Sequence, residues 1–389
     1  MAKLSCAAAD KLPAVRVSQT LLRWFDRHKR ALPWRANGAP PDPYAVWVSE
    51  IMLQQTRVET AIPYYLRFLA RFPDVATLAR AEEAELLALW SGLGYYRRCR
   101  GLLAAAKEVV AAGGRLPESA GELERLPGIG PYTAAAIASI AFSEPVPVLD
   151  GNVERVVCRY AARRAGARRT RGRSALLALA ATLFLEPRRP GDSNQALMEL
   201  GATVCTPRAP RCPVCPLAKD CKAFAMGAAE SFPAPEKRVH ARRVRQLLAF
   251  VERGGRLLLF RRSANAGQLA GLWEFPSVEV PSARGGQSAA AAMLAARYGG
   301  AWSLAAEISR LRHAITTRNF TIEVRRASFL ADGETLREGG AGVVGAAGAM
   351  GADAAGGVEA GWWSRKEACA LPLTGLARKL LARPETQPG

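Results

Sequence analysis

The chain has 389 residues and carries 54 lysines and arginines against 34 acidic residues, a formal net charge of +20. This length accommodates one or two domains with their own cores, and two or three compact units are possible. A polyanion such as DNA is the leading candidate for a partner of so basic a chain. No apolar run reaches about 18 residues and the first residues lack an apolar signal segment, so we expect neither a membrane span nor a secretory leader.

The first predicted helix covers residues 18–31, with Leu21, Leu22, Trp24 and Phe25 facing inward. The segment LPWR then breaks the helix and places Trp34 beside Arg35. An aromatic ring and a guanidinium group both stack on flat surfaces, so this pair suits a pocket for a nucleic-acid base. Simple packing in the core is the alternative.

Glu50 lies in the next predicted helix, on one face with Val46, Trp47 and Leu53. A carboxyl group desolvated there would have a raised pKa and would hold a proton near neutral pH. The alternative is a partly exposed glutamate paired with an arginine such as Arg57. The residue pattern by itself favours that alternative, because most helical glutamates lie on the surface.

Further helices are predicted at 61–72, 75–79, 82–89 and 102–112. Between the last two lies the segment WSGLGYYRR, residues 90–98. Its glycines permit close backbone approach, its tyrosines offer stacking surfaces and its arginines suit phosphates, which is typical of a loop that enters nucleic acid. A glycine-rich turn between helices, with tyrosines in the core, is the alternative.

The stretch from 126 to 150 reads LPGIGPYTAAAIASIAFSEPVPVLD. Gly128 and Gly130 have no Cβ, so the backbone there can adopt positive φ and approach a ligand. A tight turn at the start of a helix aims free N–H groups at one point, which suits a phosphate. Two prolines end the helix and lead to Asp150, which precedes a helix predicted at 153–162. The plain alternative is a pair of helices in which Asp150 is an N-cap.

Four of the eight cysteines are clustered. They have the spacing Cys-x6-Cys-x2-Cys-x5-Cys and are Cys205, Cys212, Cys215 and Cys221. A zinc ribbon usually has two Cys-x2-Cys pairs separated by a long insert, whereas one pair flanked by two single cysteines suits four thiolates around an iron–sulfur cubane. Zinc is the lesser alternative, and four free structural thiols are the least favoured.

The second half of the chain changes from helices to strands. Residues 226–244 are predicted to be a linker. Beyond it we expect strands at 246–251 and 256–261 joined as a hairpin at Gly254-Gly255, a helix at 288–298, strands at 308–315 and 320–330, and a Gly/Ala-rich insertion without fixed structure at 338–357.

Several motifs occur in a fixed order: LPWR, WVSEIMLQQT, GLGYYRR, LPGIG, LDGNV, NQALMELGA and the four-cysteine loop. Over nearly its full length the chain resembles the MutY-type adenine DNA glycosylases of the helix-hairpin-helix base-excision superfamily. The resemblance implies a mainly α region, residues 1–225, with a helix-hairpin-helix glycosylase domain and a 4Fe–4S cluster loop at 205–221. It further implies an α+β Nudix-like lesion-recognition domain at 245–389.

The same resemblance implies the activity and its residues. The expected reaction is removal of adenine mispaired with 8-oxoguanine or guanine in duplex DNA, by a bacterial, cytoplasmic monomer without membrane association. The implied catalytic residues are Glu50, Asp150, Tyr132 and Asn152. The implied substrate contacts are Trp34, Arg35, Gln195, Gln55, Thr56, Leu93, Tyr95 and Thr316, with Gly128 and Gly130 at a DNA phosphate and the four clustered cysteines at the metal.

Three features of the sequence refine the expected activity. Tyr132 occupies the slot in which endonuclease III-type relatives carry a nucleophilic lysine, so we expect a monofunctional glycosylase. The region 286–297 lacks the carboxylates of a Nudix box, so the C-terminal domain should recognise and not hydrolyse. The segment Ile315-Thr316-Thr317 stands where relatives have Phe-Ser-His, which predicts a smaller preference for 8-oxoguanine over guanine.

Two other functions are compatible with parts of the sequence. An endonuclease III-type glycosylase acting on oxidised pyrimidines would need the hairpin lysine and normally lacks the C-terminal domain. A non-catalytic DNA-binding protein would use the hairpin and the basic surface alone. The presence of both Glu50 and Asp150 argues against the second alternative.

Overall fold

The structure is a computed structural model that describes residues 11–35, 41–164, 170–234, 241–263, 265–281, 287–315, 318–330, 342–344, 358–383 and 386. Packing divides the chain into two compact units. The helical unit comprises Met1–Ala81 and Arg97–Lys237, and the mixed unit comprises Glu82–Tyr96 and Arg238–Gly389. A mainly α region followed by an α+β region was predicted, and this fold class is confirmed.

The helices of the helical unit are α1 (Lys11–His28), α2 (Pro43–Leu53), α3 (Val58–Arg71), α4 (Val75–Ala79), α6 (Tyr96–Ala111), α7 (Ala120–Leu123), α8 (Pro131–Phe142), α9 (Gly151–Tyr160), α10 (Thr170–Phe184), α11 (Pro190–Thr203) and α12 (Lys222–Ala225). Helix α6 begins one residue before this unit does, at Tyr96. Capping residues fix several of the helix starts. Asp42 caps α2, which has Pro43 at its first position, and Asp74 caps α4.

Helices α1, α8, α9, α10 and α11 share one hydrophobic core. Leu21, Phe25, Val157, Phe184 and Leu200 are each no more than 1% exposed within it. This core holds the starts of α8 and α9 beside α11, so residues from distant parts of the sequence meet there.

Helix α1 ends at His28, three residues before its predicted end at residue 31. The last helical bond joins the Lys29 N–H to the Phe25 carbonyl. Arg30 leaves the helix and pairs with the buried Glu199 of α11. The early end of α1 therefore serves a tertiary ion pair that the helical pattern could not reveal.

The mixed unit contains two sheets and four helices among the residues described. Its strands are β1 (Arg242–Phe250), β2 (Glu252–Arg253), β3 (Arg256–Arg261), β4 (Trp273–Glu274), β5 (Ser277–Glu279), β6 (Ala301–Ile315), β7 (Arg318–Leu330), β8 (Gly342–Val344) and β9 (Val358–Ser364). Its helices are α5 (Glu83–Trp90), α13 (Gln287–Tyr298), α14 (Arg365–Ala370) and α15 (Gly375–Leu381). One sheet has the order β5-β1-β7-β6, with β1 and β7 parallel, and the other has the order β2-β3-β9-β8 with β4 paired to β3.

The first of these sheets packs against helices on both faces. Leu311, Ile322 and Val324 share a core with Leu380 of α15. On the other face Leu247 shares a core with α13 residues. The C-terminal half of β1 is therefore buried on both faces, whereas β7 alternates between buried residues and exposed or half-buried ones.

Two predictions for this region are wrong in detail. The predicted hairpin at Gly254-Gly255 forms, but it is shorter than expected: the two-residue strand β2 pairs with β3, and the Leu258 N–H donates to the Val251 carbonyl at 3.1 Å. Residues 246–250 belong to β1, which pairs with β5 and β7 in the other sheet, while β3 also pairs with β4 and β9. Within the predicted unstructured insertion at 338–357, residues 342–344 form β8 and pair with β9, and the rest of the insertion lies outside the described residues.

Packing places the boundary between the units after Lys237, inside the predicted linker 226–244. It also assigns Glu82–Tyr96, which interrupts the helical unit in sequence, to the mixed unit. No helix among the described residues is both long and apolar enough to cross a membrane.

Candidate active site and cysteine cavity

The helical unit contains a pocket of about 180 Å³. The predicted site residues that line it are Trp34, Arg35, Glu50, Thr56, Tyr132, Asp150, Asn152 and Gln195. They come from the turn after α1, from α2 and the turn after it, and from the starts of α8, α9 and α11. The structure thus brings together most of the residues that the sequence predicted as catalytic or base-contacting.

Glu50 is buried, with 6% of its surface exposed. Burial raises the pKa of its carboxyl group to about 7; a hydrogen bond from Tyr132 opposes the rise, the charge of Asp150 adds to it, and Arg35 opposes it. The Tyr132 hydroxyl donates to Glu50 Oε2 at 3.1 Å. The alternative of an exposed glutamate paired with Arg57 is therefore wrong, and Glu50 can hold or release a proton at neutral pH.

Asp150 is both an N-cap and a pocket residue. Its Oδ1 accepts the Val153 N–H at 2.7 Å, and its Oδ2 accepts the Asn152 side-chain N–H at 2.9 Å. The capping alternative was correct but incomplete, because the same carboxylate lines the pocket. Two N–H donors hold its oxygens in place with negative charge directed at the cavity.

A network of two arginines and one glutamate forms another wall of the pocket. Glu199 is 1% exposed and accepts from Arg30 Nε at 2.6 Å and from Arg35 Nη2 at 2.9 Å. Burial raises the pKa of Glu199, but the two arginines outweigh this effect and the net pKa is lowered. Arg35 also donates from Nε to Gln195 Oε1 at 3.1 Å, which fixes the Gln195 amide.

Arg30 and Glu199 were not predicted as site residues, although Glu199 lies inside the quoted motif NQALMELGA. Arg155 was missed as well, although it lies two residues after LDGNV. Its guanidinium donates to Asn152 Oδ1 at 2.9 Å, to the Gly201 carbonyl at 2.8 Å and to the Cys205 carbonyl at 2.7 Å. It therefore ties the first turn of α9 to the beginning of the cysteine loop.

The two glycines of the hairpin between α7 and α8 have different backbone conformations. Gly128 has φ +78°, and a Cβ at this position would meet the Cα of Gly101 at 3.0 Å. Gly130 has φ −97° and is the N-cap of α8, so it does not use the left-handed region that was considered for both glycines. The close approach of Gly128 to Gly101 packs the hairpin against α6.

The turn after α2 carries the predicted residues Gln55 and Thr56. Gln55 is exposed with φ +56°, while Thr56 lines the pocket. Arg98 of α6, one of the two arginines that the sequence suggested for phosphate contacts, donates within the protein, from Nη1 to the Ile51 carbonyl at 2.9 Å and from Nη2 to Thr56 Oγ1 at 3.2 Å. A guanidinium group therefore caps the end of the helix that carries Glu50.

The four clustered cysteines surround a second, smaller cavity of about 20 Å³ in the helical unit. All four thiols are free and half-buried. Arg159 is 3% exposed and points a guanidinium N–H at Cys205 Sγ, 3.3 Å away, while also donating to the Thr206 and Pro207 carbonyls. Among the described residues, no three His, Cys, Asp or Glu side chains lie close enough together to hold a single metal ion. Four free thiols facing one cavity form a donor set that fits a multi-iron cluster.

Three predicted substrate contacts, Gln55, Leu93 and Tyr95, line neither cavity. Leu93 and Tyr95 belong to the mixed unit; Leu93 is 7% exposed and Tyr95 is 48% exposed. Thr316 and its neighbour Thr317 lie outside the described residues. Their predicted roles at the DNA stack and at the lesion stay predictions.

Comparison with known proteins agrees with this geometry. Residues 48–176 match the model of the HhH-GPD superfamily of base excision DNA repair proteins. The chain is 28% identical to a thermostable thymine-DNA glycosylase of known structure, with a TM-score of 0.50, over 56% of this chain and 99% of that one. The fold and the two-carboxylate pocket thus define a base excision repair protein of this superfamily.

Curated relatives narrow the class further. The chain is 34% identical to the adenine DNA glycosylase of Schizosaccharomyces pombe, over 69% of this chain and 70% of that protein. It is 41% identical to the adenine DNA glycosylase of Mus musculus, over 67% of this chain and 60% of that protein. It is also 41% identical to the adenine DNA glycosylase of Arabidopsis thaliana, over 68% of this chain and 47% of that protein. The chain belongs to the adenine DNA glycosylase family.

Proposed function

We propose that this protein is a monofunctional DNA glycosylase that removes adenine paired with 8-oxoguanine or guanine. The observation that carries the proposal is that a buried Glu50, with its pKa raised to about 7, lies in one pocket with Asp150, whose carboxylate caps α9. Cleavage of an N-glycosidic bond needs a proton for the departing base and negative charge beside the cationic sugar. The two carboxyl groups meet these two needs because their surroundings differ.

Glu50 supplies the proton. At neutral pH a group with this pKa is protonated in a large fraction of molecules, so it can protonate a ring nitrogen of an adenine flipped out of the duplex. Loss of the proton leaves a carboxylate that can then activate water. Tyr132 holds Glu50 Oε2 through its hydroxyl and keeps the carboxyl group in a fixed orientation during both steps.

Asp150 stabilises the sugar. As the bond to adenine breaks, positive charge develops on the deoxyribose, and a carboxylate pointing into the pocket attracts it. Asn152 restrains one carboxylate oxygen and the helix N-terminus restrains the other. The carboxylate is thus held in position before the charge develops.

The opposite wall would recognise the base. Trp34 packs edge-on against Tyr65, with ring centroids 5.3 Å apart, and offers an aromatic surface. Gln195 presents an amide that can pair with the donor and acceptor edge of adenine. Arg30, Arg35 and Glu199 hold that wall rigid through buried ion pairs.

Tyr132 occupies the slot at which a lysine would form a Schiff base with the sugar. A phenol cannot form such an adduct, so the expected product is an intact strand with an abasic site. This separates the proposal from an endonuclease III-type activity on oxidised pyrimidines.

A duplex nicking assay tests the proposal. A labelled adenine strand opposite 8-oxoguanine should be cut only after treatment with hot alkali, which breaks the strand at abasic sites. Cleavage without alkali would indicate lyase activity, and no cleavage under either condition would indicate a DNA-binding protein without chemistry. Glu50→Gln is the matched control, because it keeps the shape of the side chain but removes its ionisable proton.

We also propose that Cys205, Cys212, Cys215 and Cys221 hold a 4Fe–4S cluster. The free thiols around one cavity and the Arg159 guanidinium beside Cys205 support this assignment. The cluster would order the cysteine loop, residues 205–221, and would take no part in the bond cleavage described above. The purified protein should absorb broadly near about 400 nm, and a colourless, active protein with one zinc ion would contradict the assignment.

We propose further that the mixed unit reads the base opposite adenine. Thr316 retains a hydroxyl at the position of the family serine, whereas Thr317 lacks the imidazole of the family histidine. One hydrogen bond to a neutral partner contributes about 0.5–1.5 kcal/mol, so the preference for 8-oxoguanine over guanine should shrink by about tenfold at most. The ratio of single-turnover rates for the two mispairs, in the natural protein and in Thr317→His, tests this reading.

A further inference from the structure

The segment Ser91–Tyr96 forms a tight turn at the end of α5 in the mixed unit. Gly92 and Gly94 have φ +110° and +71°, and Tyr95 has φ +49°, a region that residues other than glycine seldom adopt. The indole N–H of Trp90 closes the turn by donating to the Gly94 carbonyl at 3.0 Å. This geometry leaves Tyr95 48% exposed, although Leu93 and Tyr96 in the same turn are buried.

Both ends of this turn are attached to one atom elsewhere in the mixed unit. Ser91 Oγ donates to the Leu373 carbonyl at 3.0 Å, and the Tyr96 hydroxyl donates to the same carbonyl, also at 3.0 Å. Ser91, Tyr96 and Leu373 are 1%, 4% and 1% exposed. A carbonyl oxygen has two lone pairs, so these two bonds use its full accepting capacity in a buried setting.

The Leu373 carbonyl is itself held in place. Its neighbours pair with strand β4: the Trp273 N–H donates to the Pro372 carbonyl, and the Thr374 N–H donates to the Trp273 carbonyl, each at 2.9 Å. In extended backbone, successive residues point their N–H and C=O groups to opposite sides, so pairing at 372 and 374 directs the Leu373 carbonyl away from β4. Thr374 then caps α15, which fixes the other side of the segment.

We propose that Ser91 and Tyr96 are positioning residues, which clamp the turn to the Leu373 carbonyl so that the mixed unit presents Tyr95 to the base stack of duplex DNA. The turn interrupts the helical unit in sequence. The two hydrogen bonds from its buried hydroxyl groups nevertheless reach the C-terminal part of the chain, 282 and 277 residues further along the sequence. The mixed unit would then both recognise the base opposite adenine and insert Tyr95 into the base stack. The effect on base release rests on the proposed glycosylase function, whereas the clamp itself rests only on the two buried hydrogen bonds to the Leu373 carbonyl.

Hydrogen exchange of the DNA-free protein tests the clamp independently of activity. The variants are Ser91→Ala, Tyr96→Phe and the two combined. Tyr298→Phe is the matched control, because the buried Tyr298 hydroxyl donates to the Ser277 carbonyl in the same unit, at 3.2 Å, without contacting the turn. Loss of both clamp bonds should speed exchange at 91–96 by about tenfold, with β1 and β7 no faster than in the control.

The rate at which the target base leaves the stack tests whether the clamp helps to present Tyr95 to the DNA. With 2-aminopurine in place of adenine, stopped-flow fluorescence should show base unstacking slowed about tenfold in the combined clamp variant and unchanged in Tyr298→Phe. In a Tyr95→Ala background the clamp variants should add no further loss, because the clamp acts through Tyr95.

The experiments distinguish failure of the clamp from failure of its action through Tyr95 and from failure of the proposed function. Unchanged exchange at 91–96, or exchange that rises evenly over the whole mixed unit, would overturn the clamp. Losses that add to that of Tyr95→Ala would overturn its action through this residue. A natural protein that releases no adenine would reject the proposed function, while the exchange experiment would still decide whether the clamp exists.

Discussion

Replacing Glu50 with glutamine should abolish base release and at the same time stabilise the helical unit at alkaline pH. The pKa of Glu50 is raised from 4.5 to about 7 in the folded protein, mainly by burial. The folded state therefore binds a proton more tightly than the unfolded chain between these values. The contribution of the neutral carboxyl group is fully present below pH 4.5 and is lost as the pH rises through 7.

The size of the effect follows from the shift. Each pKa unit corresponds to about 1.4 kcal/mol, so the ionised Glu50 lowers the free energy of unfolding by about 3 kcal/mol at pH values well above 7. Glutamine cannot ionise, and its amide oxygen can still accept the hydrogen bond that Tyr132 now gives to the carboxyl group. The variant should thus be close in stability to the natural protein near pH 5 and more stable by about 3 kcal/mol near pH 8.

Urea unfolding at several pH values between about 5 and 8 measures this difference, with the transition of the helical unit followed by circular dichroism because that unit supplies most of the helix. Glu108→Gln is the control, since it makes the same side-chain change at an exposed residue of α6 in the same unit. A stability difference between Glu50→Gln and the natural protein that stays constant over this range would refute the raised pKa and, with it, the assignment of the proton donor.

Three further outcomes are expected. Asp150→Asn keeps an N-cap oxygen, so it should change unfolding by less than about 1 kcal/mol but lower the single-turnover rate of base release by about 100-fold or more, since the charge beside the sugar is lost. The rate of the natural protein should fall as the pH rises through about 7, because Glu50 loses the proton that it must donate. Gly201→Ala should slow base release and destabilise the helical unit by about 1–3 kcal/mol, because its Cβ would lie 2.6 Å from the Asn152 Cβ; Gly121→Ala, where a Cβ meets nothing within 4 Å, is the control.

Local signals predicted the elements that depend on local chemistry. Helix α4 and strand β3 match their predicted bounds, because capping residues or turn glycines delimit them within the sequence itself. Asp150 shows the limit of such signals. A sequence can indicate an N-cap, but the same residue also reaches a pocket because α9 packs against α11, which is a tertiary fact.

Partners far apart in the sequence could not be predicted in this way. The Gly254-Gly255 turn was recognised, yet the strand that β3 pairs with was not, because sheet membership depends on contacts with β9, about 100 residues later. The pairing of Arg30 with Glu199 ends α1 early for the same reason. Neither interaction produces a periodic pattern in the sequence. Only the motif NQALMELGA, in which Glu199 occurs, could have indicated that Glu199 has a role.

The support of Glu50 shows the same limit within the helical unit. The sequence presented Arg98 as one of two arginines suited to phosphates, yet its guanidinium donates to the Ile51 and Met52 carbonyls at the end of α2, each at 2.9 Å. The last carbonyls of a helix have no donor partner within the helix itself, so a cationic donor satisfies them and also interacts favourably with the negative end of the helix dipole. The helix that carries Glu50 is therefore held at its C-terminal end by a side chain from α6, which no local signal in α2 could have indicated.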